Sequence, residues 1–273
     1  MRISDRLIKC VGFVSLDTEP LTFRGTVFLV SVPFDENSGV LHLVTAKHVA
    51  SAVGDNNFVT VFNGNDGIPR FGKSGGDIRW FYHPTDESVD VAVMPFPSSM
   101  IREYDIQHIP ISMFATDQRI MEYNIGLGDE LVIVGLFTRF FGTSQIEPIV
   151  RTGNIAMMPR EKIFTGVETI DAYLAEGRSI GGLSGSPVFC RSTLKMPTQS
   201  ADGSQAFISG LGPFHLLGLM HGHWNLLPSM AGPESGEAVN MGISVVVPAK
   251  KILEVIYNPE LVDLRSTAFR RDA

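Results

Sequence analysis

The sequence predicts an all-β protein made of two six-stranded antiparallel β-barrels, with a short helix at the C-terminus. Three observations support this fold class. Short segments rich in β-branched and aromatic residues recur along the chain, 27 of the 273 residues are Gly and 16 are Pro, and charged residues make up only 19%. Apolar or alternating segments separated by turn residues at hairpin spacing are typical of antiparallel strands rather than of alternating strands and helices.

The strand pattern occurs in two groups of six segments. In chain order the first group is CVGFVSL, RGTVFLVSV, VLHLVTA, FVTVF, DIRWFY and DVAVMPF. The second group is DELVIVGLF, EPIVRTGNIAM, VETIDAYL, SPVFC, FHLLGLM and MGISVVVP. Residues 110–128 have weaker periodicity and separate the groups, so we predict an N-terminal barrel over 1–115 and a C-terminal barrel over 116–250.

A helical pattern is found at the end of the chain. The stretch PAKKILEVIYNPE carries apolar residues at helical spacing from Ile252 to Ile256, with a proline on either side. Proline is favoured at a helix start and cannot continue a helix beyond its end. We therefore assign 251–273 to a C-terminal helix and tail, and expect the tail from Leu261 onward to be mobile.

Composition and charge exclude several classes of partner. The formal net charge is −7 and Lys and Arg form no run, so we expect neither nucleic acid nor a membrane surface as a partner. Asp5 and Lys9 interrupt the stretch where a secretory signal needs an apolar core, and no segment approaches the ~18 apolar residues of a membrane span. We therefore predict a cytoplasmic protein in which Cys10 and Cys190 are reduced, and in which Cys190, at the end of an apolar run, is buried.

The stretch GGLSGSPVF, Gly181–Phe189, places Ser184 among glycines just before an apolar run. Such a stretch is also ordinary turn chemistry, because a serine hydroxyl is a weak nucleophile without a base and a supporting carboxylate. His48 follows the strand-like VLHLVTA at an expected turn into a short helix. Asp90 stands at the head of the apolar run DVAVMPF, where a buried carboxylate needs a partner such as an imidazole N–H.

Five stretches together resemble the chymotrypsin-like, or trypsin-fold, serine proteases, and most closely the bacterial HtrA-like peptidases. They are RGTVFLV, HLVTAKHV, DVAVM, GGLSGSPVF and MGISVVVPAKKILEVI. The resemblance runs from about Cys10 to Ile256 and includes the order His, Asp, Ser. An α/β-hydrolase has the order Ser, acid, His, and it needs G-x-S-x-G before a long helix, so the sequence favours the protease.

The resemblance implies a role for each matching residue. His48 is then the general base and afterwards the general acid, Asp90 orients the imidazole, and Ser184 is the nucleophile. The backbone N–H groups of Gly182 and Ser184 form the oxyanion hole, which suits a backbone that must approach a ligand closely. The implied activity is hydrolysis of peptide bonds in a protein or peptide substrate through an acyl-enzyme, with no cofactor.

Leu183 departs from the digestive members of the resembled family. Those members carry an acid directly before the serine, which pairs with a newly cleaved N-terminus, and Leu183 cannot form that ion pair. The oxyanion loop must therefore be ordered by packing or by a partner protein. This departure leaves open an alternative, a catalytically silent or partner-activated trypsin-fold module that binds peptides.

The resemblance also indicates where the substrate pocket lies. The loop AEGRSIGG and the strand LLGLMHGHWN form its walls, with Arg178, Met220, His221 and Gly222 as candidate lining residues. Arg178 or His221 favours an acidic or polar substrate side chain, whereas Met220 favours a small apolar one. The sequence does not choose between them.

His221 and His223, with His215 nearby, also invite interpretation as metal ligands, because alternate residues of a strand share one face. A fourth ligand is not apparent in the sequence. We therefore predict no metal site.

Overall fold

The computed structural model describes residues 3–34, 39–55, 57–75, 79–165, 168–177, 181–192, 196–199, 205–208, 212–226 and 239–272. Most of its regular structure is β-strand, as the sequence predicts. Cys10 and Cys190 form no disulfide and Cys190 is buried, as predicted, and Cys10 is buried as well. No helix in the described ranges is long and apolar enough to cross a membrane.

The N-terminal half forms a seven-stranded sheet with two short helices. Its helices and strands are α1 Asp5–Ile8, β1 Val11–Leu16, β2 Thr22–Pro33, β3 Gly39–Thr45, α2 Lys47–Val53, β4 Phe58–Asn63, β5 Pro69–Lys73, β6 Ala92–Phe96 and β7 Ile109–Pro110. Turns of 3-10 helix span Ser98–Glu103 and Ile111–Met113. The strand order is β5-β4-β1-β2-β3-β6, and β7 pairs in parallel with β2.

The C-terminal half forms a closed six-stranded barrel, β12-β17-β16-β13-β8-β9, with two small hairpins beside it, β10-β11 and β14-β15. Its helices and strands are α3 Asp117–Glu122, β8 Glu130–Gly135, β9 Ile149–Met157, β10 Ile163–Phe164, β11 Thr169–Ile170, β12 Tyr173–Glu176, β13 Pro187–Arg191, β14 Met196–Gln199, β15 Gln205–Ile208, β16 His215–Leu226, β17 Val239–Pro248, α4 Ala249–Ile256 and α5 Pro259–Asp272.

Two barrels are predicted, and the described strand pairings close only the C-terminal one.

The expected strand DIRWFY is also wrong over its described part, because 79–82 contribute only an isolated bridge from Phe81 to Val93. Trp80 and Phe81 are both buried, and Trp80 stacks on Phe58, whereas a strand at a sheet surface buries alternate residues. The half-exposed stretch from Pro69 to Lys73 pairs with β4 instead.

The C-terminal helix is present, but the prediction of a mobile tail is wrong. After α4 the chain forms a second helix, α5, in which Leu261 and Arg265 are buried one turn apart. The Arg265 guanidinium lies over the Tyr257 ring at 5.6 Å, and its Nη1 donates to Nε2 of His42 at 3.3 Å. Burial of one apolar and one basic residue therefore anchors a helix that is otherwise largely polar.

One apolar cluster joins the two halves. It contains Phe13 and Phe28 from the N-terminal sheet, Val134 and Phe189 from the barrel, and Ile252 from α4. A second cluster fills the interior of the barrel. Because the first cluster spans both halves, the residues at their junction are held by packing from either side.

His42 on β3 makes the stability of the fold depend on pH. Its side chain is fully buried, and burial together with the charge of Arg265 lowers the pKa of His42 to about 3. As pH falls, the unfolded chain takes up a proton at His42 near pH 6.5, whereas the native state takes it up only near pH 3. The free energy of unfolding therefore falls as pH falls through this window, by about 1.4 kcal/mol per pH unit for one such group.

We predict that His42→Gln removes this part of the pH dependence. Glutamine retains an acceptor for Arg265 but does not titrate. Between pH 6.5 and 5 the variant should lose about 2 kcal/mol less unfolding free energy than the unaltered protein in urea titrations. Equal losses in the two proteins would contradict the assignment.

Candidate active site

The carboxylate of Asp90 lies at the junction of the two halves and is 5% exposed. It accepts three hydrogen bonds, from the backbone N–H of His48 to Oδ1 at 2.9 Å and from Nδ1 of both His48 and His221 to Oδ2 at 2.8 and 2.6 Å. Burial alone would raise the pKa of Asp90, but the hydrogen bonds from His221 and His48 outweigh it and hold the pKa well below its ordinary value. Asp90 is therefore a carboxylate at neutral pH.

His48 is positioned by the first turn of α2. The residue before this helix, Ala46, has no side chain that can cap it, so the N–H of His48 would lack an acceptor. Oδ1 of Asp90 supplies that acceptor while Oδ2 binds the imidazole of the same residue. The His48 side chain is 46% exposed, so its Nε2 edge is accessible for chemistry.

His221 reaches Asp90 because of a β-bulge. The register of β16 against β17 shifts between Met220 and Gly222, and His221 is the extra residue. A bulge changes the direction of a side chain relative to the regular alternation of a strand. The His221 imidazole thereby points to Asp90 and lies edge-on to the His48 ring, with centroids 5.6 Å apart.

Backbone hydrogen bonds hold the loop around Ser184 on both sides. The carbonyl of Ser184 accepts from Thr26 N at 2.9 Å, and the N–H of Gly185 donates to Met220 O at 2.8 Å. The N–H of Ser186 donates to Leu183 O at 2.9 Å, which closes the turn. Ser184 therefore sits on a tight turn held by strands from both halves.

Two glycines permit the shape of this turn. Gly182 has φ of +99° and Gly185 has φ of +81°, which L side chains rarely adopt. A Cβ on Gly185 would also lie 2.3 Å from the carbonyl oxygen of Thr26. Any other residue at these positions would displace the loop.

The N–H groups of Gly182 and Ser184 donate to no protein acceptor among the described residues. The carbonyl of Gly181, in the same peptide as the Gly182 N–H, accepts from Thr138 Oγ1 at 3.3 Å. Because the peptide is planar and trans, that bond turns the Gly182 N–H away from Thr138. These donors, on one tight turn, suit the stabilisation of an oxyanion.

The hydroxyl of Thr26 holds the loop from the N-terminal half. Thr26 is fully buried, and its Oγ1 donates to Gly182 O at 2.9 Å and accepts from Leu136 N at 3.0 Å. Ser186 Oγ lies 3.1 Å from Thr26 Oγ1. The Thr26 side chain thus holds the loop around Ser184 and the end of β8 together.

Leu183 provides the packing that the sequence analysis requires of this position. Its side chain is fully buried in the barrel core beside Ile133, Val188 and Met220. An apolar anchor therefore holds the position directly before Ser184. Packing orders the loop in this structure.

The Ser184 hydroxyl donates to the carbonyl oxygen of His221 at 3.2 Å. Within the described residues, no hydrogen bond joins it to Nε2 of His48. The hydroxyl must therefore leave the His221 carbonyl before His48 can take its proton. Catalytic hydrogen bonds are often long or misaligned without substrate.

A cavity of about 330 Å³ opens beside His48. Its lining includes Lys47, Ser51, Glu87 and Glu168 as well as Asp90. A larger cavity of about 420 Å³ lies away from this site, next to Lys9 and Asp105. The first cavity adjoins both His48 and Asp90 and is the one relevant to their chemistry.

The four predicted pocket residues lie in different surroundings. Arg178 is outside the described residues. Met220 is fully buried in the barrel core, while Gly222 has open space where a side chain would be. The His221 side chain points to Asp90. The sequence did not predict this contact, because nothing in LLGLMHGHWN marks the position of a bulge. The pocket assignment stays a prediction.

Among the described residues, one group has the composition of a metal site, namely His48, Asp90 and His221. The set considered from sequence, His215, His221 and His223, all within the described ranges, does not form such a group. The two N-to-O separations in this group, 2.8 and 2.6 Å, are hydrogen-bond lengths. Ligands about 2.0–2.1 Å from a tetrahedral Zn²⁺ lie farther apart than this. The geometry suits shared protons rather than a bound ion.

Comparison with solved structures finds proteases of the same fold. The apo MamO protease domain from Magnetospirillum magneticum is 14% identical, with a TM-score of 0.50, and the match covers 91% of this chain and 96% of that one. The active form of the Rv3671c protease from M. tuberculosis is 15% identical, with a TM-score of 0.47, over 92% of this chain and 81% of that one. No protein-family model and no curated protein matches the sequence.

The chain therefore has the fold of the trypsin-like serine proteases, as the resemblance implies. The identities are too low to carry an activity across. The finer resemblance to HtrA-like peptidases is not supported by these matches.

We predict that Thr26→Val destabilises the protein by about 1–3 kcal/mol, because the buried N–H of Leu136 loses its acceptor while the shape of the side chain is nearly unchanged. Thr26→Ser, which keeps the hydroxyl, is the matched control. Urea titrations measure the difference. If the valine variant is as stable as the serine variant, the hydroxyl does not hold the loop.

Proposed function

We propose that the protein is a serine endopeptidase that hydrolyses peptide bonds through an acyl-enzyme, with His48, Asp90 and Ser184 as its catalytic residues. The observation that carries the proposal is the 2.8 Å bond from His48 Nδ1 to the buried Asp90 carboxylate, next to a serine on a tight turn with open backbone donors. The trypsin-like fold is consistent with it.

In the first step, Ser184 Oγ attacks the substrate carbonyl carbon while its proton passes to Nε2 of His48. In the neutral imidazole whose single proton is on the Nδ1 bonded to Asp90, Nε2 is able to accept the proton of Ser184. The carboxylate then stabilises the imidazolium that forms. Since Asp90 is held ionised by its hydrogen bonds, it remains an anion throughout.

The negative charge on the substrate oxygen is met by the N–H groups of Gly182 and Ser184. Imidazolium then returns the proton to the leaving amine, the C–N bond breaks, and an ester to Ser184 remains. Water attacks this ester with His48 again as base, which releases the acid and restores the serine. Preorganised donors of this kind contribute about 100- to 1,000-fold each.

The same proposal includes the finer organisation of the chain. The N-terminal sheet corresponds to the N-terminal barrel of the prediction, and the two units are 1–115 and 116–250. The substrate is an extended protein or peptide, and the setting is cytoplasmic. Gly222, which has open space where a Cβ would lie, is where such a backbone would pass.

One observation favours a second candidate, a silent or partner-activated peptide-binding module. The Ser184 hydroxyl is bonded to His221 O and not to His48. If that rotamer persists with peptide bound, the base and the nucleophile never meet. An activator protein would then have to change the loop.

We predict that a fluorophosphonate probe labels the purified protein and that Ser184→Ala and His48→Ala abolish labelling. Turnover of a peptide substrate should fall roughly a millionfold in Ser184→Ala. Ser51→Ala, which removes an exposed serine of α2 near His48, is the matched control and should label normally. Gel fluorescence and mass spectrometry locate the adduct.

Circular dichroism and thermal melts establish that each variant is folded. A folded protein that the probe does not label, or one labelled equally with and without Ser184, contradicts the proposal. In the first case, fluorescence anisotropy with a peptide library tests the binding module, and the unaltered protein and Ser184→Ala should then bind peptide equally well.

A further inference from the structure

We propose that His221 is a positioning residue that shares Asp90 with His48, and that uptake of a proton by His221 weakens the catalytic site at low pH. This inference rests on the proposed function, and it adds a residue and a pH limit to it. It starts from two bonds to a single atom. Nδ1 of His48 and Nδ1 of His221 both lie within hydrogen-bond distance of Oδ2 of Asp90.

Both imidazoles must donate from Nδ1, because a carboxylate oxygen only accepts. In the neutral form of either ring Nε2 is then unprotonated, and the proton that converts the ring to a cation is taken up at that nitrogen. One carboxylate thus supports two potential imidazolium ions. Catalysis requires the charge on His48, since that ring accepts the proton of Ser184.

The two rings are close enough to compete for that charge. Their centroids are 5.6 Å apart, so a cation on His221 opposes formation of a second cation on His48. The charged and titratable groups facing His221 are Asp90 before β6, His48 on α2 and Glu168 before β11. The two acids favour its charged form, and the other imidazole opposes it once charged.

The surroundings of His221 favour its cation more than water does. Burial lowers the pKa of His221, but the hydrogen bond from its ring to Asp90 and the charges of Asp90 and Glu168 raise it above its ordinary value. The cation is therefore populated at mildly acidic pH. The stabilisation it gives the fold is present below pH 6.5 and is lost as pH rises through the raised pKa.

His221 also holds Ser184 directly. The carbonyl oxygen of His221 accepts the Ser184 hydroxyl, while its ring fixes Asp90. The bulge that turns the ring inward therefore sets both the nucleophile and the carboxylate. A residue without a side-chain donor here would leave Oδ2 with one partner instead of two.

The test is the rate of fluorophosphonate labelling as a function of pH in the unaltered protein, His221→Asn and His223→Asn. Asparagine keeps an N–H near the position of Nδ1 but does not titrate. We expect the acidic midpoint in His221→Asn to fall by at least about half a pH unit. His223→Asn, which removes the neighbouring histidine of β16, should follow the unaltered protein.

A second measurement separates this proposal from the proposed function. In ¹⁵N-histidine NMR of Ser184→Ala, which needs no activity, the titration midpoint of His221 should move to lower pH when Asp90→Asn is added. An unmoved midpoint, or a His221→Asn labelling profile that overlays that of the unaltered protein, overturns the proposal. A moved midpoint in a protein that the probe never labels keeps the proton coupling and overturns the proposed function instead.

Discussion

The arrangement of the site depends on one buried carboxylate. Asp90 completes the first turn of α2, orients His48 and anchors the bulge of β16, so it joins three segments from both halves of the chain. A buried carboxylate is costly unless its oxygens are satisfied, and here all three bonds come from groups that the site itself needs. The geometry of His48 and the conformation around Ser184 are therefore coupled through a single side chain.

The loop around Ser184 is ordered by a different means, namely burial of Leu183 and the hydroxyl of Thr26. An ion pair to a new N-terminus makes loop order conditional on cleavage, whereas an apolar anchor is present as soon as the barrel packs. The turn that carries the N–H groups of Gly182 and Ser184 is therefore fixed once the barrel has packed. The direction of the Ser184 hydroxyl is fixed separately, by its hydrogen bond to the carbonyl oxygen of His221.

The local patterns predicted most of the strands, because each needs only an apolar face and turn residues at its ends. They failed at DIRWFY, where Trp80 and Phe81 are buried side by side, and they predicted a second closed barrel where the described pairings form a seven-stranded sheet. His48, Asp90 and Ser184 were candidates from sequence because the first follows an apolar run, the other two precede one, and their order matches that of the resembled family. The contact of His221 with Asp90 was not, since it depends on a register shift against β17, which is set by residues distant in the chain.

Activation of Ser184 can be tested most directly with a crystal structure of the protein and a peptide boronate, which forms a tetrahedral adduct with an activated serine. We expect a bond from boron to Ser184 Oγ, with one boronate oxygen about 2.7–3.1 Å from the N atoms of both Gly182 and Ser184. His48 should keep its bond to Asp90 in that complex. An unmodified Ser184 still bonded to His221 O at saturating boronate would show that the base and the nucleophile do not act together.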